Sequence, residues 1–179
     1  MNIGTIVLLL TAPLATTALA CSSGSPDVGT STSPTSSAVE ALSGTYDFVL
    51  ASSDVGKKLR AQCDASGGGD TSRAAQCWSE VEHDAANEKI RFSRNEEGQL
   101  VFTSFGVDNG KEDVFVELPI AMKELSPGIV VASAAGWPRG SLVGQLTNLR
   151  FERRVERGPD DTIALTDPSK GRLVYSRAK

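Results

Sequence analysis

Asp113-Val-Phe-Val-Glu-Leu-Pro-Ile120 is the stretch that decides the fold class. Side chains along a strand alternate between its two faces, so Val114, Val116, Leu118 and Ile120 are expected to share one apolar face. The alternation continues on both sides. Upstream lie Gly44-Thr-Tyr-Asp-Phe-Val-Leu50, with Tyr46, Phe48 and Leu50 on one face, Glu88-Lys-Ile-Arg-Phe-Ser93, and Leu100-Val-Phe-Thr-Ser-Phe105. Downstream come Gly128-Ile-Val-Val-Ala132, the run from Leu142 to Glu156, Thr162-Ile-Ala-Leu165 and Arg172-Leu-Val-Tyr175. All are short and rich in the β-branched and aromatic residues that fit a half-buried pleated surface.

Turn chemistry separates them. Asn109-Gly110 is the strongest signal, because a two-residue hairpin needs positive φ at both central positions. Asn95-Glu-Glu-Gly98, Ser126-Pro-Gly128, Gly158-Pro-Asp-Asp161 and Asp167-Pro-Ser-Lys-Gly171 serve the other connections. About eight strands joined this way predict a mainly β fold, an antiparallel up-and-down barrel, since closure removes exposed strand edges.

A helical pattern interrupts the alternation after the first strand, at about 53–86. Asp54 can cap a helix carrying Val55, Leu59 and Cys63 on one side. Asp70 or Ser72 can cap a second with Ala74, Cys77, Trp78, Val81 and Ala85 on its apolar face. Cys63 and Cys77 both lie on these apolar faces, and a disulfide between them is expected if the domain is exported.

The first forty residues are a different kind of chain. All 18 Lys and Arg lie after residue 56, and Ile3 to Ala20 carries no charge. Ile6-Val-Leu-Leu-Leu10 is an oily core, and Ala18 and Ala20 satisfy a small-residue cleavage rule. Residues 1–20 therefore read as an export signal. From Cys21 to residue 40 the chain is dominated by Ser, Thr, Pro and Gly, a composition that predicts a flexible tether. Residues 41–179 form the expected barrel domain. The net charge of −4 gives no electrostatic footprint for nucleic acid.

Ala18-Leu19-Ala20-Cys21 resembles the lipobox of bacterial lipoproteins. The resemblance implies cleavage before Cys21, lipidation of its thiol and a membrane anchor. Ser22, not Asp, goes with sorting to the outer membrane in that family. Gly44-Thr-Tyr46 and the up-and-down pattern resemble lipocalin-like barrels, in which Trp stands where Tyr46 does here. That resemblance implies a small apolar ligand in the barrel mouth.

Two readings of the domain follow. A hollow barrel would bind a small apolar ligand, with Tyr46, Phe102, Arg153 and Trp137 as contacts. A barrel filled by Tyr46, Phe92, Phe102 and Tyr175 would instead be an envelope structural or protein-interaction subunit. Arg153 shares the apolar face of Leu149, Phe151 and Val155, so it is expected either to point into one end of the barrel, pairing internally or meeting an anion, or to be turned outward by a bulge. Trp137 is expected to rim a pocket or protein contact, or else to pack over the barrel end. His83, beside Asp84 and near Glu80, reads as part of a solvated helix face. No catalytic motif, cofactor motif or metal-ligand spacing emerges, so no enzyme is expected.

Overall fold

The computed structural model describes the backbone of residues 36–143 and 151–179, with side chains from Val39 onward. The export signal, Cys21 and most of the tether lie outside these residues, as does Leu149.

The chain forms a closed antiparallel barrel, β1-β2-β3-β4-β5-β6-β7-β8, each strand beside its sequence neighbour. The strands are β1 (Gly44–Phe48), β2 (Glu88–Arg94), β3 (Leu100–Asp108), β4 (Lys111–Ser126), β5 (Ile129–Ala134), β6 (Glu152–Arg157), β7 (Thr162–Asp167) and β8 (Gly171–Arg177). Tyr46 opposite Arg177 and Phe48 opposite Tyr175 close the cylinder. Asn109 and Gly110 adopt φ of 50° and 76° and make the tight turn from β3 to β4. A residue without positive-φ tolerance there would splay the strands.

The long fourth strand departs from strict alternation. Ser104 faces Val116 but Phe105 faces Val114, so Phe115 is an extra residue in the ladder. This bulge moves Val114 off the face it was expected to share with Val116, Leu118 and Ile120. It also brings the Phe115 ring over Gly106, where a Cβ would lie 2.8 Å from the ring.

The two ends of the barrel differ. A helix α1 (Ser36–Leu42) precedes β1 and sets Val39 and Leu42 in the core at one end, which we call the plugged end. This helix overlaps the end of the segment read as tether, residues 21–40. Arg177 pins the plug. Its guanidinium donates to the carbonyls of Ser43 (2.9 Å) and Ala41 (3.1 Å) and to Tyr46 Oη (3.0 Å). Tyr46 Oη in turn donates to Leu42 O at 3.0 Å.

The opposite end carries a short 3-10 turn (Leu50–Ser52) and the helix pair α2 (Asp54–Ser66) and α3 (Thr71–Ala85). Asp70 caps α3 by accepting from the N–H groups of Ser72 and Arg73. Asp54 is the first helical residue of α2, and its carboxylate accepts the Arg172 N–H at 2.9 Å instead of capping. Fully buried Ser53 anchors the pair to β8: its hydroxyl accepts the Val174 N–H (2.8 Å) and donates to Val49 O (2.9 Å). A Cys63–Cys77 disulfide ties α2 to α3 across a separation of 14 residues. Leu50, Trp78 and Ala85 pack with Cys63 in a second small core.

Candidate functional site

The barrel interior is occupied by its own side chains. Tyr46, Phe92, Phe102 and Phe151 form a continuous aromatic column, with successive centroid distances of 6.4, 5.5 and 5.0 Å. Tyr46 and Phe92 are each only 1% exposed. Leu118, Val155, Leu165 and Leu173 fill the space around them. Tyr175 stacks against Phe48 at 5.2 Å nearer the helical end. Such rings each bury a large apolar surface, and their tilted and edge-on contacts add to it.

Above this column, at the helical end, the interior becomes polar. Arg153 continues the inward row of β6, and register explains its partner. Val155 faces Leu165, so the next inward positions toward the helical end are Arg153 and Asp167. Their side chains are 7% and 5% exposed and meet at 2.6 Å. Arg153 also donates to Glu152 O at 3.0 Å and lies over the Phe151 ring at 5.2 Å. Asp167 additionally accepts the Ser169 N–H and hydroxyl and the Lys170 N–H, which fixes the β7–β8 turn. The guanidinium is thus turned inward and paired internally, as one of its two expected placements had it.

Three further ionisable groups share this end; Glu88 and Lys170 were not singled out from the sequence, and Tyr175 was named there only as a filler of the core. Glu88 stands at the start of β2 on the same row as Ile90 and Phe92, and burial pushes its carboxyl up to about 7 against the attraction of Lys170. Burial lowers the Lys170 ammonium to about 8, opposed by Asp167 and Glu88. The Lys170 Nζ is buried and has no hydrogen-bond partner among the described residues. Tyr175 is raised by burial and by the nearby Glu88 and Asp167 charges. Burial lowers Arg153. At Asp167 burial opposes ionisation, but the Ser169 hydroxyl, Arg153 and the turn N–H groups outweigh it and hold the carboxyl below its usual range. Alternation could have placed Glu88 on the inward row; nothing in sequence spacing places Lys170, which projects from a turn.

The four residues expected to touch a ligand are not brought together. Tyr46 lies at the plugged end, Phe102 sits inside the aromatic column, and Arg153 is at the helical end. Trp137 is 90% exposed, so it does not pack over the barrel end. Its loop is nonetheless held against β4 by mutual Glu117–Arg139 backbone bonds of 2.7 Å and by Ser141 N–H to Val114 O at 2.9 Å. His83 is exposed on α3. An open groove of about 410 Å³ runs beside α2, lined by Ala51, Gly56, Lys57, Arg60 and Trp78. Its aromatic floor is already covered by the Arg60 guanidinium at 5.2 Å.

Among the described residues no three His, Cys, Asp or Glu converge as a metal site, and no helix is long and apolar enough to cross a membrane. No protein-family model matches the chain, and no curated protein or solved structure matches it either.

Proposed function

We propose that this chain is a bacterial lipoprotein, anchored at the outer membrane through Cys21, whose filled barrel works as an interaction module of the cell envelope. The aromatic column from Tyr46 to Phe151 carries the reading. A cavity that swallows a small apolar molecule needs several hundred Å³ of unfilled apolar space, and these rings occupy the axis. Function then falls to the outer surface and the ends. The anchoring half rests on the oily leader ending at Ala18-Leu19-Ala20-Cys21 and the tether after it. With α1 entering at the plugged end, a short tether leaves the helical end and the Trp137 loop free to meet other envelope components.

Native mass spectrometry of the protein extracted from its own membrane tests both halves. The expected species begins at Cys21, carries a diacylglycerol, is two hydrogens lighter for the Cys63–Cys77 bond, and retains no apolar passenger. A mature chain starting elsewhere, or one free in the medium, removes the anchor. A stoichiometric apolar passenger removes the filled-barrel reading.

A further inference from the structure

We propose that the helical end of the barrel is a binding site for a small carboxylate, taken onto the Lys170 ammonium beside Arg153. The inference goes beyond the envelope reading and stands whether or not Cys21 carries lipid.

The argument starts from the acceptors. An ammonium has three donors and no acceptor of its own. Burying it unpaired is costly, yet Lys170 Nζ is turned inside without a hydrogen-bonded partner among the described residues. The two nearby carboxylates do not supply one. Asp167 spends its oxygens on Arg153, Ser169 and the turn N–H groups. Glu88 makes no ion pair with Lys170, and its burial suppresses its own charge below about pH 7. Arg153 and Asp167 cancel, so the end keeps a surplus positive charge on Lys170. A carboxylate offers two oxygens in the plane that charge-assisted donors favour.

The surroundings set the size of the ligand. Phe48, Phe151 and Tyr175 wall this end with rings, while the column below blocks any long tail. The proposed ligand is therefore a short or aromatic monocarboxylate and not a fatty chain. The titratable groups facing Glu88 and Lys170 are Asp167, Arg153 and Tyr175 from the barrel. From α2, Asp54 is held at the adjoining β8 start by the Arg172 N–H.

The test uses the full chain in nonionic detergent, with benzoate as probe, benzamide as its neutral isostere and inorganic phosphate as a second anion. Calorimetry gives affinity, and amide shifts locate the site. Benzoate is expected to shift the amides of residues 167–171 and 88–90, and benzamide to shift none. Lys170→Met should weaken benzoate at least tenfold, a loss of about 1.4 kcal/mol, whereas Lys170→Arg keeps it within a few-fold. Between pH 6 and 8 wild-type affinity should fall roughly tenfold as Glu88 ionises and competes and as Lys170, lowered to about 8, begins to lose its proton; Glu88→Gln should match wild type at pH 6 and remove only the Glu88 part of the fall. Equal affinity in Lys170→Met and wild type overturns the site. So does the absence of any benzoate-induced shift. Phosphate binding as well as or better than benzoate overturns the carboxylate assignment.

Discussion

Replacing Arg153 by Met tests the internal ion pair. The Met side chain fills much of the space of the Arg stem but leaves Asp167, 5% exposed, without its 2.6 Å cationic partner. Breaking one partner of a buried pair costs about 3–5 kcal/mol, because the survivor stays buried and charged. Here Asp167 keeps its bonds from the Ser169 N–H, the Ser169 hydroxyl and the Lys170 N–H at 2.7, 2.6 and 3.0 Å. The low end, about 3 kcal/mol, is therefore expected. With a urea slope of about 2 kcal/mol/M, the unfolding midpoint should fall by about 1.5 M at pH 7. The sign of the pH dependence follows from Asp167. Its folded pKa is lowered, so its contribution is present above its unfolded value and is lost as pH falls through the folded one. The gap between Arg153→Met and wild type should therefore narrow below about pH 4. Asp167→Asn added to Arg153→Met removes the stranded charge while keeping an acceptor for the turn, and should recover at least half of the loss. A single variant within about 0.5 kcal/mol of wild type at pH 7 would refute the claim that this pair is buried and coupled.

Three other outcomes are expected. Replacing both Cys63 and Cys77 by Ala removes a loop closure worth roughly 3 kcal/mol, and hydrogen exchange should show α2 and α3 losing more protection than β3 and β4. Gly56→Ala places a Cβ 1.8 Å from Leu50 O; despite better helix propensity it should destabilise by about 3 kcal/mol or more in urea unfolding, and a smaller loss would mean that α2 sits less tightly on the 3-10 turn. Glu88, raised to about 7, binds a proton in the folded chain that the unfolded chain has already released. Stability should therefore fall as pH rises from about 4.5 to 7 in wild type, and that component should vanish in Glu88→Gln.

Much of the barrel was legible because an antiparallel strand with one face inward repeats every two residues, and because Asn109-Gly110 allows one kind of turn. The helix pair was equally plain from Ala74, Cys77, Trp78, Val81 and Ala85. Other features were not local properties. Val39 and Leu42 show helical spacing, but two residues beside a Ser/Thr/Pro run do not outweigh their surroundings. The bulge at Phe115 depends on how β3 and β4 align, and no single-strand pattern encodes that. The alternating stretch from Asp113 to Ile120 stops short, yet β4 runs on to Ser126 because β5 pairs with it there. At the polar end, Arg153 announced itself as a charge on an apolar row. Its partner Asp167 looked like a turn residue, and only the register of β6 on β7 reveals that it is both.

The seam between β1 and β8 governs when the fold can be finished. Tyr46 must wait for Arg177, more than a hundred residues later in synthesis, before the cylinder is sealed and the α1 plug is pinned. Until then β1 has a bare flank and the polar end lacks its β7–β8 turn. A nascent or threaded chain therefore cannot lock prematurely, and a product truncated before Gly171 would be left with two sticky borders instead of a finished wall.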